Sequence, residues 1–368
     1  MRIDRVTLTH VRIPLVEPFR ISNGAVSEKD GIIVEVHADG LSGVGESSPM
    51  AGNFYSSDTP ESCWRDLTAA LAPSAVGREF ATLEEACAWI NAQPGSNFAK
   101  VGIETAFWDL EAQRLGLPLH RLLGGERDRV ESGLAVGLYE TEPALLGAIS
   151  KHLDAEGYKR VKVKIARGHD VGIVRAVRSA FGDVPLMTDA NADYTLEHRG
   201  VFLELDLFGL LMFEQPLAGA MLAESAELQA GLRTPVCLDE SLESPADADR
   251  AAAAGACRIA NIKIQRVGGF SNALDLYRRA RGHGLSIWVG TMPELGIGQA
   301  QGAALQSLAG CDYPTDVEST RRWFTADIVE PWIEVRDGAI AMPEAAGLGY
   351  ALDRKAMARH QVAREEIR

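Results

Sequence analysis

The amino-acid sequence predicts an α/β fold, a (β/α)8-type barrel (a modified TIM barrel) with an α+β capping domain. Two observations lead to this prediction. Five short apolar runs in the middle of the chain each end in a charged residue, and these residues lie 25, 25, 25 and 24 positions apart. The N-terminal third instead combines alternating strand patterns with helical spacing. With 368 residues, 46% of them hydrophobic, the chain can bury the large core that this fold needs.

The capping domain is predicted to occupy residues 1–125. IDRVTLTHVRIPL and GIIVEVHA alternate as antiparallel strands do, and the polar stretch between them, EPFRISNGAVSEKD, is predicted to be a mobile loop. Helical spacing follows in SCWRDLTAALA, TLEEACAWI and KVGIETAFWDLEAQRLG, and Gly116 and Pro118 are expected to end the last helix.

The barrel is predicted to occupy residues 126–320, where strand and helix patterns alternate regularly. Its apolar runs are VKVKI, VPLMTD, LLMFE, PVCLD and IANIK. A repeat of about 25 residues accommodates one strand, one helix and two loops, so the charged residue that ends each run should lie at the same end of the barrel. Residues 321–368, with a strand in IVEPWIEVRDGAIAM and a polar helical tail, are expected to complete the barrel or the capping domain.

Composition restricts the class of partner and compartment. The net charge of −14 argues against a nucleic-acid or anionic membrane partner. The N-terminus lacks a signal-peptide core and no run is long enough to span a membrane, so a cytoplasmic protein is expected. The odd cysteine count without a CxxC pair predicts reduced, packed thiols at Cys63, Cys87, Cys237, Cys257 and Cys311.

Three carboxylates end consecutive barrel strands and are candidate metal ligands: Asp189, Glu214 and Asp239. Oxygen ligands of this kind select Mg²⁺ or a similar hard ion. Taken singly, each carboxylate can instead cap the next helix or form a local salt bridge. The equal spacing across three units favours a shared site.

Two lysines in KVK, Lys162 and Lys164, alternate on one strand and therefore point the same way. Burial beside another cation lowers a lysine pKa, which makes Lys164, nearer the carboxyl end of the strand, the candidate general base. A surface strand with two lysines is the alternative. Lys263 ends the sixth strand and should face Lys164 across the barrel.

Opposed lysines beside a metal suit removal of a proton α to a carboxylate, because a divalent ion can stabilise the resulting enolate. If the second lysine reprotonates the far face, the result is racemisation. If it only stabilises charge while a β-leaving group departs, the result is elimination. The sequence leaves both outcomes open.

Other residues near these positions are candidates for substrate contact. Arg266 can depress the pKa of Lys263, bind a substrate carboxylate or form a loop salt bridge. Glu294 can orient polar groups at the pocket wall or cap a helix. Asn191 and Asn261 can support the carboxylates and lysines or satisfy backbone groups. Two loops of the capping domain can close over the barrel and select the substrate, through Phe19, Arg20, Met50 and Tyr55.

The blocks KVK, TDAN, FEQP, LDES and NIKIQRVGG resemble the muconate-lactonizing subgroup of the enolase superfamily. Longer blocks resemble the o-succinylbenzoate synthase and N-acylamino acid racemase family: PFR, MAGNFYSSD, GYKRVKVKI, FGLLMFEQPL and TPVCLDES. The resemblance implies Mg²⁺, or Mn²⁺, on the three carboxylates, bases at Lys164 and Lys263, a supporting Lys162, and the pairing of Arg266 with Lys263 that is typical of racemising members. It also implies a small-molecule carboxylate substrate, and barrels with such a cap often form homo-oligomers.

The chain departs from the family pattern in the expected pocket. Thr291 stands in Gly290–Glu294 where the family has a glycine, with Met292 and Pro293 beside it, and Ala135 replaces a serine of the first barrel strand. Both changes are expected to affect which substrate the pocket accepts. Alternatives are therefore a dipeptide epimerase, for which TDVES at 315–319 hints at the amine-binding acidic motif, a muconate-type cycloisomerase, and a non-catalytic metal-binding protein. Walker, GxGxxG, GxSxG and HExxH motifs do not occur.

Overall fold

A computed structural model describes residues 1–52 and 54–368, so Asn53 of the MAGNFYSSD block lies outside the described residues. In chain order the strands are β1 (Ile3–Ile21), β2 (Gly24–Ala38), β3 (Leu41–Ser47), β4 (Arg129–Glu131), β5 (Leu134–Val136), β6 (Val161–Lys164), β7 (Leu186–Asp189), β8 (Phe213–Glu214), β9 (Val236–Leu238), β10 (Ile259–Ile262), β11 (Ser286–Val289), β12 (Val329–Glu330), β13 (Ala339–Ala341), β14 (Ala351–Leu352) and β15 (Gln361–Ile367).

The α-helices alternate with the barrel strands and also pack on the capping sheet. They are α1 (Pro60–Asp66), α2 (Ala72–Ala75), α3 (Leu83–Ala92), α4 (Asn97–Leu115), α5 (Leu119–Leu122), α6 (Glu142–Glu156), α7 (Val171–Phe181), α8 (Arg199–Leu205), α9 (Leu222–Ala230), α10 (Pro245–Ala254), α11 (Ile264–Val267), α12 (Phe270–Gly282), α13 (Gly296–Gln306), α14 (Thr320–Trp323) and α15 (Arg354–His360). A π-helical turn spans Leu67–Leu71, and 3-10 turns span Leu196–His198 and Asp206–Phe208.

The capping sheet is antiparallel with the strand order β15-β1-β2-β3. Its first two strands form one long hairpin, whose pairing runs to Ile21 opposite Gly24 with a register shift between Pro14 and Phe19. The stretch predicted to be a mobile loop is therefore mostly strand. The prediction was wrong because polar side chains on a hairpin that projects from its sheet leave no hydrophobic alternation to read.

Helix α4 lies across the capping sheet and is the longest helix of this domain. Ser96 accepts a hydrogen bond from the Phe98 backbone N–H at its start, and Gly116 ends it in the left-handed conformation, with φ of 66°. The predicted end at Gly116 is confirmed. The close packing of α4 on β3 depends on glycine in the strand, because a Cβ on Gly45 would lie 2.0 Å from the Gly102 carbonyl oxygen.

The barrel sheet is parallel, with seven strands in the sequential order β5 to β11. A segment after α13 closes it. On one side Asp312 N–H donates to Ile287 O at 2.7 Å and the Thr315 hydroxyl donates to Val289 O at 2.6 Å. On the other side Gly133 N–H donates to Thr315 O at 2.8 Å, next to β5. The fold predicted from the 25-residue repeat, a modified TIM barrel with an α+β cap, is confirmed.

The core lies between the barrel strands and the surrounding helices, and a second hydrophobic core lies between the capping sheet and its helices. Inside the barrel a small apolar layer forms the floor below the strand ends, made of Met187, Met212, Cys237, Ile259 and Trp288. All five cysteines are buried and free, as predicted.

The C-terminal segment returns to the capping domain. Helix α15 ends at His360, and β15 then pairs antiparallel with β1, Val6 lying opposite Ile367. The tail was predicted to be a polar helix, and α15 is that helix; the residues after it form a strand because β1 offers a free edge that the sequence pattern does not reveal. In the part of the chain that the structure describes, no helix is both long and apolar enough to cross a membrane.

Candidate active site

The residues that end the barrel strands come together at one end of the barrel. The sheet register places Lys164 beside Asp189 and Asp189 beside Glu214, while Asp239 and Lys263 directly follow β9 and β10. This arrangement follows from the parallel sheet, in which the carboxyl ends of all strands meet at one edge. The side chains are buried: Glu214 and Asp239 are 0% exposed and Asp189 is 1% exposed.

Lys164 is held by two acceptors on the neighbouring unit. Its Nζ donates to Asp189 Oδ2 at 2.6 Å and to Asn191 Oδ1 at 2.8 Å. Its Nζ also lies 5.8 Å from the centroid of the Phe19 ring. The lysine is thus aimed into the barrel mouth by barrel residues and covered by the hairpin of the capping domain.

Lys162 lies deeper and is surrounded by carboxylates. Its Nζ is 3.3 Å from Glu214 Oε2 and 3.6 Å from Asp189 Oδ2, and it donates a hydrogen bond to Asp316. Burial disfavours the ammonium form, but Asp316, Glu214 and Asp189 together outweigh it and raise the pKa of Lys162. Lys162 is therefore a fixed positive charge.

Lys263 approaches the same pocket from the other side of the sheet. Its Nζ lies 3.0 Å from Asp239 Oδ2 and donates to the Tyr55 hydroxyl at 2.9 Å. Arg266 also donates to Asp239 and to the Tyr55 hydroxyl. Burial lowers the pKa of Lys263, but Asp239 and Tyr55 raise it well above its ordinary value and outweigh the lowering that was expected from Arg266.

The pocket between the two domains has a volume of about 40 Å³. Most of the predicted site residues line it: Phe19, Met50, Tyr55, Ala135, Lys162, Lys164, Asn191, Lys263, Thr291, Met292 and Pro293. The Thr291 hydroxyl donates to the Asp316 carbonyl oxygen at 3.4 Å, so its hydrogen atom is directed at the backbone.

Three predicted substrate contacts do not line this pocket. Arg20 is exposed and donates to Glu140 Oε1 at 2.9 Å, in a neighbouring cleft of about 310 Å³. Glu294 is 4% exposed and packs at the interface between the domains beside Lys29 and Glu46. Arg266 is buried and acts on the pocket only through Asp239 and Tyr55.

Three pocket residues were not predicted: Ile21, Asp316 and Trp323. Asp316 belongs to the TDVES motif, where it was noted only as a hint of amine binding. In the structure it accepts hydrogen bonds from Lys162 and from Arg160, the latter at 2.5 Å. Trp323 packs edge-to-face on Phe19 with ring centroids 4.9 Å apart. Sequence carries no signal for this pairing, because the two residues lie on different domains.

The three carboxylates offer the oxygen donors that hard divalent ions prefer. Their crowding raises the pKa of Glu214 to about 8, through burial and the neighbouring charge of Asp189. A divalent cation would relieve that repulsion, so these residues fit one. In this structure, lysine and arginine side chains pair with the carboxylates. Within residues 1–52 and 54–368, no group of three or more Asp, Glu, His or Cys side chains is already arranged to hold a metal ion.

The comparison with known proteins defines the class. Residues 3–124 match the mandelate racemase/muconate lactonizing enzyme N-terminal domain family, and residues 145–356 match the enolase C-terminal domain-like family. The chain belongs to the enolase superfamily and is an enzyme of that superfamily. Membership implies a divalent metal ion.

Individual relatives narrow this class. The chain is 42% identical over 364 residues to the o-succinylbenzoate synthase of Geobacillus kaustophilus, covering 98% of this chain and 96% of the relative. It is 38% identical over 352 residues to the N-succinylamino acid racemase of Amycolatopsis sp, covering 95% of each. A solved enolase-superfamily structure from Listeria innocua superposes with a TM-score of 0.94 at 33% identity, over 100% of this chain and 99% of that one. These findings confirm the resemblance.

Proposed function

We propose that this enzyme removes the proton α to the carboxylate of a small-molecule substrate, as an o-succinylbenzoate synthase, an N-succinylamino acid racemase, or both. One observation supports this most directly: Lys164 and Lys263, on strands four positions apart in the curled sheet, line one pocket above three carboxylates. Relatives of both activities align over 98% and 95% of the chain.

Asp189, Glu214 and Asp239 would hold the metal, which we propose to be Mg²⁺, with Mn²⁺ as a substitute. Bound there, a divalent cation would supply positive charge that stabilises the enolate oxygens and favours a neutral lysine nearby. Lys162, kept protonated by its three carboxylate neighbours, adds fixed positive charge at the same place.

The two opposed lysines carry the proton transfers. In racemisation, neutral Lys164 takes the proton from one face of the α-carbon, and Lys263, as an ammonium group, returns a proton to the opposite face. In dehydration, one lysine takes the α-proton while the other stabilises charge, and the β-hydroxyl group leaves as water with the proton that the first lysine returns. Phe19, Met50, Met292 and Trp323 exclude water from the reacting carbon.

The dipeptide epimerase alternative is less well supported by the contacts of TDVES. Asp316 is engaged by Lys162 and Arg160, and Glu318 accepts the Ala135 N–H at 2.8 Å and lies 2.9 Å from Arg322. Both carboxylates therefore have cationic partners within the protein, so neither is set up to bind a substrate ammonium. A homo-oligomer stays a prediction.

Proton NMR in D₂O with Mg²⁺ tests the proposal on a panel of N-succinyl and N-acetyl amino acids. We expect α-proton exchange with loss of optical activity in the wild type. The rate of racemisation should fall about 10²- to 10⁴-fold in Lys164→Ala and in Lys263→Ala, the range of general acid–base catalysis. Lys151→Ala, on the exposed face of α6, is the matched control and should exchange like the wild type.

A Lys164→Ala variant with full activity would overturn the mechanism. Exchange absent from every acylamino acid would reject the racemase, and the cyclohexadiene precursor of o-succinylbenzoate would then be the next substrate, followed by dipeptides.

A further inference from the structure

The loop that carries Thr291, Met292 and Pro293 leads into helix α13, which has no side-chain cap of its own. The residue at the N-cap position is Leu295, and it makes no side-chain hydrogen bond to the helix. The first N–H groups of a helix need acceptors from elsewhere when the helix end is buried. The start of α13 is buried, as are Leu295, Gly296 and Gly298.

Glu46, from strand β3 of the capping domain, supplies most of these acceptors. It is 0% exposed, its Oε1 accepts the Leu295 N–H at 2.8 Å, and its Oε2 accepts the Gly298 N–H at 2.8 Å. A Cβ on Gly298 would lie 2.4 Å from the Glu294 Cβ and 3.3 Å from Glu46 Oε2, so the contact depends on glycine at this position. A carboxylate of one domain therefore holds a helix of the other.

The chain just after Glu46 is fixed as firmly. Gln265 of helix α11 donates to the Glu46 carbonyl oxygen at 2.9 Å and accepts the Ser48 N–H at 2.9 Å. Lys29, 3% exposed, donates to the carbonyl oxygens of Ser48 at 3.1 Å and Pro49 at 3.4 Å. The next residue, Met50, lines the pocket opposite Met292.

We propose that Glu46 is a positioning residue that sets the width of the pocket between the Met50 loop and the Thr291–Pro293 loop, and so selects the substrate side chain by size. The inference rests on the proposed function for its substrate. Glu46 accepts two buried N–H groups at the start of α13, directly after the Thr291–Pro293 loop. In the other direction it precedes Met50 in a segment that Gln265 and Lys29 hold in place. A displacement of the start of α13 relative to β3 would therefore change the distance between Met50 and Met292.

The same helix end offers a matched control. Asp327, from the C-terminal segment, accepts the Gly296 N–H at 3.0 Å through Oδ1 and is 1% exposed. It caps α13 as Glu46 does, but it is not part of the strand that leads to Met50. Asp327→Ala, which removes the accepting oxygen, should therefore reproduce the loss of capping without the coupling between the two loops.

The experiment compares Glu46→Gln and Asp327→Ala in the full-length enzyme with Mg²⁺. The first readout is the ratio of kcat/KM between N-succinylphenylalanine and N-succinylalanine. We expect Glu46→Gln to change this ratio about five- to tenfold, mainly through KM, as is typical of a pocket whose wall moves by a fraction of a side chain. Asp327→Ala should change it less than about twofold, because it leaves the contacts of the segment that leads to Met50 in place.

The second readout needs no turnover. Hydrogen–deuterium exchange should rise in Glu46→Gln in the peptides covering 47–52 and 290–298 together, and in Asp327→Ala only in the second. Glu46→Asp, which keeps the charge, should recover part of the substrate ratio. If Glu46→Gln lowers Tm but leaves the ratio and the 47–52 exchange unchanged, Glu46 is only a helix cap and the inference is overturned. If the wild type turns over neither substrate, the proposed function fails while the exchange experiment still decides the coupling.

Discussion

The side chains around the barrel mouth differ in how far their neighbours determine their charge. Lys162 stays protonated because three carboxylates surround it, and Asp316, which was not predicted to take part, is the nearest of them. Arg160 shares Asp316 and stacks over the Trp288 ring at 5.0 Å. Because these groups are buried together, each one's charge is set by the others, and the site acts as one electrostatic unit.

Glu294 is the opposite case: it is a buried carboxyl group, and its neighbours offset little of the cost of burying its charge. Burial raises its pKa to about 7, Lys29 opposes the rise, and Glu46 adds to it. Its Oε2 has no hydrogen-bond partner among the described residues. Glu294 therefore contributes to the pH dependence of stability, and it is not among the described residues that line the catalytic pocket.

We predict that Glu294→Gln weakens the loss of stability that the wild type shows as the pH rises from 4.5 to about 7. Between the ordinary glutamate pKa of 4.5 and about 7, the folded wild type holds a proton that the unfolded chain has lost, so its free energy of unfolding falls as pH rises through this window. The fall is at most about 3 kcal/mol. Glutamine stays neutral at every pH, so urea denaturation at pH 5 and pH 8 should show the variant gaining relative to the wild type at pH 8.

Glu344→Gln, at an exposed position, is the control and should follow the wild type at both pH values. A Glu294→Gln variant with the same pH dependence as the wild type would show that this carboxyl group is already ionised at pH 5.

At the scale of the elements, close approach of helix and strand decides where glycine is required. Strand β3 packs so tightly against α4 that a Cβ on Gly43 would lie 2.2 Å from the Ala106 carbonyl oxygen, and backbone cannot move aside as a flexible side chain can. This contact fixes β3, and with it Glu46, relative to the helical layer of the capping domain.

Gly43→Ala should accordingly destabilise the protein by about 1–3 kcal/mol, the usual result of overpacking. The control is Gly147→Ala in helix α6, where a new Cβ meets no atom within 4 Å. That change should leave stability unchanged or raise it by up to about 1 kcal/mol, because alanine is the better helix former. Guanidinium denaturation measures the free energy of unfolding of both variants, and equal values would contradict the packing argument.

At the scale of the whole molecule, the two ends of the chain and both domains are tied together. Strand β15 completes the capping sheet beside β1, while the segment at Asp312–Thr315 closes the barrel. The pocket lies where these parts meet, so its walls come from both domains. Ligands of the site should therefore stabilise the molecule as a whole.

We predict that Mg²⁺ raises Tm, because it binds the three carboxylates only in the folded protein. At a concentration about 100 times its Kd the gain is about 2.7 kcal/mol. Differential scanning fluorimetry with increasing Mg²⁺ should show the rise in the wild type and in the surface control Glu227→Gln, but not in Glu214→Gln. A rise of the same size in Glu214→Gln would place the ion elsewhere.

The repeat of about 25 residues was enough to predict the barrel and to bring Lys164, Asp189, Glu214, Asp239 and Lys263 to one end of it. The reason is that a strand and helix of fixed length return the chain to the same edge of a parallel sheet in every unit. The outward orientation of Arg20, the burial of Glu294 at the domain interface and the extension of the hairpin through its polar stretch were beyond this reasoning.

Spacing along the chain determines which residues reach the barrel mouth, since it depends only on local geometry. The tertiary structure decides which residues meet there from distant parts of the chain: Asp316 with Lys162, Trp323 with Phe19, and Glu46 with the start of α13. These contacts depend on how the barrel closes and how the capping domain docks, and both are set by packing between segments that local sequence patterns cannot relate.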